Sequence, residues 1–184
     1  ASATGAYVGN ADQGNSKSAS CAGCHGLDGN SAISDYPKLS GQHATYLEST
    51  LKAYRDGARE NAIMAGMAAA LSNEDIADLA AYYSQQTIST GAVEADLVAR
   101  GEQLYRFGDS SKGISACAAC HGPTGAGVGS AIFPSLKGQW AAYSETQLKA
   151  YREGQRQHVM MNGVAKNMSD ADIKAVASYV GGLR

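Results

Sequence analysis

Cys21-Ala-Gly-Cys24-His25-Gly26 returns 96 residues later as Cys117-Ala-Ala-Cys120-His121-Gly122. All four cysteines of the 184-residue chain lie in these two stretches. Cys-x-x-Cys followed directly by His is the spacing of a c-type haem attachment site. Two thiols about one helical turn apart reach both vinyl groups on one haem edge, and the adjacent imidazole binds iron. Other readings fit less well. Disulfides would leave the two histidines unexplained. A zinc ribbon wants Cys pairs about 15–20 residues apart, but 92 residues separate Cys24 from Cys117 with no intervening Cys. A thioredoxin-like pair needs a βαβ context, which the sequence lacks.

The repeat continues beyond the cysteines. Pro37-Lys-Leu39-Ser-Gly41-Gln42 matches Pro134-Ser-Leu136-Lys-Gly138-Gln139 at an offset of 97, so one residue is inserted between His121 and Pro134. At that offset Tyr46 meets Tyr143, Leu51-Lys-Ala-Tyr54-Arg55 meets Leu148-Lys-Ala-Tyr151-Arg152, Arg59 meets Arg156 and Met64 meets Met161. The chain therefore divides into two homologous domains, 1–90 and 91–184, joined near the small polar run Thr87-Ile-Ser-Thr-Gly91. Ahead of the first Cys two alignments stay open. Gly101 matches Gly5 without a gap, or Gly14 with extra residues after Phe107.

Composition sets outer bounds. Fifteen basic and 17 acidic residues give a net charge of −2, and 44% of residues are hydrophobic. That is the composition of a folded domain and not of a disordered polyelectrolyte. A nucleic-acid protein would carry a clear basic excess. The longest apolar run, residues 62–71, spans ten residues, against about 20 for a membrane-crossing helix. No charged-then-apolar leader opens the sequence.

The pattern predicts an all-α fold. Tyr46, Thr50, Leu51 and Tyr54 fall at helical spacing, as do Tyr143, Gln147, Leu148 and Tyr151, with Gly57 and Gly154 as stops. Ser72 with Asp75, and Ser169 with Asp172, read as N-caps with an acidic third position. Behind them run the stripes Ile76, Leu79, Ala80, Tyr83 and Ile173, Val176, Ala177, Val180. Domains of about 90 residues bury little core and often depend on a metal or covalent staple.

The repeat also selects the second axial ligand. His43 falls opposite Trp140 and His158 opposite Asn61, so neither is shared. Met67, Met160 and Met168 fall opposite Val164, Ile63 and Leu71, which reads as packing. Only Met64 and Met161 pair with each other. The expected iron ligands are therefore His25 with Met64 and His121 with Met161, with Met67 and Met160 as the nearest rivals. Thioether plus imidazole closes both axial positions and favours ferrous iron, the arrangement of an electron carrier and not of an enzyme.

Further shared residues are candidates for contacts to the cofactor. Pro37 and Pro134 lie in the loops after each histidine, where a carbonyl is wanted to fix the imidazole. Arg55, Arg59, Arg152 and Arg156 are all shared, and a guanidinium fork suits a haem propionate; Arg55 and Arg152 are assigned to the haem site. Gln42 and Gln139, with Tyr46 and Tyr143, are donors either to propionates or across a domain interface.

Taken together, the paired CxxCH motifs, P-x-L-x-G-Q, Y-R-x-G-x-R and the late Met closely resemble the di-haem cytochrome c4 type of class I cytochromes c, over essentially the whole chain. The resemblance implies two tandem class I domains related by pseudo-twofold symmetry. It implies two covalently bound haem c groups with propionates facing across the interface. It further implies an exported periplasmic protein whose signal peptide has been removed, soluble or peripherally associated with the membrane. Its electron donor would be a cytochrome, a cupredoxin or a membrane complex, and its acceptor a terminal oxidase. Two other functions are weighed: the cytochrome subunit of a flavin-containing sulfide dehydrogenase, and a di-haem redox enzyme with one open haem. Residues 1–92 carry five basic and nine acidic side chains (net −4) and residues 93–184 ten and eight (net +2). That asymmetry suits two different docking partners.

Overall fold

The computed structural model describes residues 6–184. The first domain contributes α1 (Ala11–Lys17), α2 (Ala19–His25), α3 (Ala44–Asp56), α4 (Ala62–Ala68) and α5 (Asn73–Ser84). The second contributes α6 (Val98–Phe107), α7 (Ala118–His121), α8 (Ala141–Arg152), α9 (Met161–Ala165) and α10 (Asp170–Gly181). Among the described residues the only β pairing is two isolated bridges, Asp109 with Ile114 and Val128 with Phe133. The all-α expectation holds.

In each domain the first and last helices cross, and a glycine sets the crossing. A Cβ on Gly14 would lie 1.9 Å from the Asp78 carbonyl oxygen and 2.8 Å from Tyr82 Cβ. A Cβ on Gly101 would lie 2.5 Å from the Ala175 oxygen and 2.7 Å from Tyr179 Cβ. Tyr82 and Tyr179 are repeat partners, so Gly101 corresponds to Gly14, and the second of the two open alignments is the structural one. The extra residues after Phe107 form the loop 108–116, whose bridge buries Ile114 at 4% exposure. The stretch that holds the single later insertion also carries a tight turn closed by Val128 and Phe133, where Ile132 adopts φ +57°.

Ions fasten the same crossing differently in each half. Asp78, at 1% side-chain exposure, accepts from Lys17, from the Tyr7 hydroxyl and from the Asn10 amide. In the second domain Asp172 takes that part, accepting from Arg100 and Lys112.

The predicted caps form complete boxes. Ser72 accepts from the Asp75 amide while Asp75 accepts from the Ser72 amide, and Ser169 with Asp172 repeat the pattern. Both stripes behind the caps are buried. Gly57 ends α3 in the left-handed region, and Gly154 adopts the same conformation just past α8.

Where the domains meet, the bonds are reciprocal. The Ser135 amide donates to Gln42 Oε1 (2.9 Å), and Gln42 Nε2 donates back to the Ser135 carbonyl (3.0 Å). The Lys38 amide and carbonyl make the same exchange with Gln139 (2.9 and 3.0 Å). Next in sequence, His43 Nε2 donates to the Ala126 carbonyl (2.6 Å) and Trp140 Nε1 to Ser31 Oγ (2.8 Å). Each domain thus reads the other's loop after its motif histidine.

Candidate functional site

One apolar cleft of about 1030 Å³ runs through both domains. It is lined by both Cys pairs, both motif histidines, and Met64 and Met161. The cysteines reach it from α2 and from the start of α7, one turn apart as their spacing requires. None of the four is joined in a disulfide. Burial raises the Cys21 thiol above its ordinary pKa and pushes Cys117 up to about 11.

The histidines are fixed from behind. His25 and His121 are 7% exposed. Each Nδ1 lies against a proline carbonyl: His25 to Pro37 at 2.8 Å and His121 to Pro134 at 2.9 Å. A carbonyl only accepts, so Nδ1 carries the proton and Nε2 keeps the lone pair. Burial lowers both pKa values and favours the neutral ring. Neutral imidazole with its far nitrogen held by an acceptor is the state a metal-ligating histidine requires.

Both shared methionines lie in the first turn of short helices. Asn61 caps α4, its Oδ1 accepting from the Met64 amide at 2.9 Å. In the second domain the aligned His158 accepts from the Met161 amide through Nδ1 at 3.3 Å. The rivals Met67 and Met160 also line the cleft but are 40% and 45% exposed. Met168 is packed into the second domain's core.

Arg55 and Arg152 lie elsewhere, contrary to the assignment made from the repeat. Arg55 donates to the Leu71 carbonyl and Asn73, and Arg152 to the Met168 carbonyl and Asp170. They are shared because each ties the end of one helix to the start of the last helix. The guanidiniums that do line the cleft belong to Arg59 and Arg156. Arg59 donates to the Tyr143 hydroxyl and Gln147 Oε1, both at 3.0 Å. Arg156 donates to the Tyr46 hydroxyl at 3.0 Å and to the same Gln147 oxygen at 2.8 Å. Burial would raise the Tyr46 phenol, but the charges of Arg156 and Arg59 bring it below its usual value. Neither guanidinium has a carboxylate partner among the described residues, so two cations face the cleft with only neutral acceptors. A buried cation needs an anion, and the carboxylates of a haem would supply it.

Gln42 and Gln139 line the cleft, and each exchanges two hydrogen bonds with the backbone of the other domain's loop. Sequence reasoning missed Gln147, because its repeat partner is Thr50 and only shared residues were followed. It also missed Lys38, whose buried ammonium donates to the Gly138 carbonyl (3.0 Å) and sits 4.2 Å from the Trp140 ring centroid.

A family model described as cytochrome c matches residues 12–87 and again 98–184. Cytochrome c4 of Pseudomonas aeruginosa is 42% identical over 180 residues, covering 96% of this chain and 90% of that one. The chain belongs to the di-haem cytochrome c4 family. A crystal structure of reduced recombinant cytochrome c4 from Pseudomonas stutzeri superposes with a TM-score of 0.93 at 41% identity, covering 96% of this chain and 100% of the other. A thiosulfate dehydrogenase electron acceptor from Thiomonas intermedia is 43% identical, over 89% of this chain and 78% of that protein. As a cytochrome c4 relative the protein is a di-haem electron carrier with two covalently attached haem c groups. Among the described residues no helix is long and apolar enough to cross a membrane.

Proposed function

We propose that Cys21 and Cys24 hold one haem and Cys117 and Cys120 the other, with His25–Met64 and His121–Met161 as the axial pairs. The observation that carries this ligand set is the repeated seating of a neutral histidine. Its Nδ1 is bound to a proline carbonyl in each half, across a common cleft from the one methionine both halves share. Haem bound at such a pair supplies a one-electron iron couple of raised potential. Arg59 and Arg156 supply positive charge for propionates at the domain interface, and the apolar walls keep water from the ring. Both axial positions are then filled by protein, so the chain carries electrons and is not itself an enzyme.

The protein works in the periplasm. It takes single electrons from a donor cytochrome, cupredoxin or membrane complex and gives them to a terminal oxidase. Each passage oxidises the donor by one electron and reduces the acceptor by one. Relatives named thiosulfate dehydrogenase electron acceptors favour a second reading of the donor, as a dehydrogenase of sulfur compounds.

Stopped-flow mixing tests both ends of the route. Reduced protein mixed with oxidase-bearing membranes should be oxidised at both haems, with oxygen consumed in proportion. Oxidised protein mixed with a thiosulfate dehydrogenase and thiosulfate should be reduced. Failure of the first experiment contradicts the terminal-oxidase route; failure of the second removes the sulfur-compound donor.

A further inference from the structure

Among the described residues one buried side-chain polar atom has no hydrogen-bond partner, the hydroxyl of Tyr83. Tyr83 is 3% exposed and lines the first domain's part of the cleft, in the same cluster as Cys21. Leaving a buried hydroxyl unpaired costs about 1–3 kcal/mol, so its retention asks for an explanation.

The repeat sharpens the question. In the second domain Val180 stands at this position, and an aromatic ring arrives instead from the opposite helix. Gly14 corresponds to Gly101, so Ser18 corresponds to Tyr105: the pair Ser18 and Tyr83 has become Tyr105 and Val180. Both rings stand against the equivalent glycine of the loop after the motif histidine. A Cβ on Gly29 would lie 2.9 Å from Tyr83 Cδ1, and one on its partner Gly125 would lie 3.4 Å from the Tyr105 hydroxyl. Each ring also packs on the repeat-equivalent tyrosine, Tyr83 on its own neighbour Tyr82 at 5.0 Å and Tyr105 on Tyr179 of the crossing helix at 5.6 Å between centroids. The hydroxyls differ. Tyr105 donates to the Gly122 carbonyl at 2.6 Å and is spent. The Tyr83 hydroxyl has no such partner and stands near Cys21 and Ser18.

We propose that the Tyr83 hydroxyl is a tuning group for the first haem alone, donating toward the haem edge attached through Cys21. This rests on the haem placement proposed above. Burial raises the Tyr83 phenol above its usual pKa, so it remains a donor throughout the working range. A donor directs the positive end of its dipole at the ring and favours the state that holds the extra electron. The second haem, facing Val180, lacks this contribution. The two haems thereby differ in electron affinity although their ligand sets are the same.

The test is Tyr83→Phe in the holoprotein. The half-reduced protein is followed by proton NMR, in which each methionine methyl reports its own haem. The account expects the share of the electron on the first haem to fall about fivefold relative to the second, the equivalent of one ordinary hydrogen bond. The far-red band of both haems should persist. Should Tyr83→Phe fold poorly, Ser18→Tyr with Tyr83→Val rebuilds the second domain's arrangement and should give the same shift. Tyr105→Phe is the structural control: it should lower the melting temperature and leave the distribution unchanged. An unaltered distribution in both variants with both far-red bands intact would overturn the proposal, as would a shift of opposite sign. Loss of a far-red band in the unmutated protein would instead overturn the haem ligation on which it rests.

Discussion

The two domains agree at the cleft and disagree in its supports. Both carry the same Cys pair, histidine, proline carbonyl and methionine. The first fastens its helix crossing with Lys17 and Asp78, the second with Arg100, Lys112 and Asp172. The first caps its methionine helix with Asn61, and the second holds the same amide with His158. A side-chain N–H crosses the interface from His43 in one direction and from Trp140 in the other. Identity was kept at the haem motifs and the proposed methionine ligands, and also in the capping boxes and the reciprocal glutamines. At the helix crossings, the methionine amide and the interface ring N–H, only the physical task was kept, and different residues perform it.

The comparison can be broken most strongly at the buried carboxylates. Asp172→Ala removes the acceptor of two cations and half of a capping box. It should cost about 3 kcal/mol, read as a fall in the second domain's unfolding midpoint in denaturant. Asp78→Ala should cost the first domain a similar amount, since the Tyr7 hydroxyl and the Asn10 amide lose their acceptor and Lys17 keeps only Asp75. If only one domain responds, the two arrangements are not equivalent. The pH dependence follows. Hydrogen bonding to Lys17 holds Asp75 at about 2, and Lys112 and Arg100 draw Asp172 below the carboxylate range despite burial. A depressed carboxylate stabilises the fold above its unfolded value of about 4, and that contribution is lost as pH falls through the folded value. The melting temperature should hold from pH 7 to 5 and decline below about 4. Asp172→Asn should flatten the decline.

A smaller effect is expected at the crossings. Gly14→Ala drives a methyl into the Asp78 carbonyl, at a cost of about 3 kcal/mol for overpacking offset by about 1 from helix propensity. Gly101→Ala should cost less, because its Cβ would stand 2.5 Å and not 1.9 Å from the facing oxygen. Equal losses would mean that the crossings relax to a common geometry. The smallest effect sharpens the symmetry: Ser72→Ala and Ser169→Ala should each cost about 1 kcal/mol. The two capping boxes are the same, so unequal losses by calorimetry would contradict that equivalence.

Much of this was legible from the chain alone, and the repeat explains which part. The haem motifs, caps and buried stripes are local patterns of fixed spacing, so Cys21, Ser72 and Ile76 announce themselves. Arg55 and Arg152 misled because sharing signals a common task without saying which one. Theirs is to bridge two helices, and the arginines four residues on reach the cleft. Gln147 and the exchange of Ser18 and Tyr83 for Tyr105 and Val180 were invisible for the converse reason. Swapped pairs leave no matched residue to find, and only the crossing of Gly14 and Gly101 in space reveals the register that aligns them. The length of the loop after Phe107 was likewise undetermined until Gly101 was seen against Ala175.

The central claim is that both domains present a closed histidine–methionine pair. The most direct test is the optical spectrum of the purified holoprotein, ferric and ferrous, with and without carbon monoxide. The account predicts a far-red methionine-to-iron band scaled to two haems and no spectral change with carbon monoxide. A carbon monoxide shift at either haem, or a band scaled to one, would contradict it and return an open-haem enzyme to consideration.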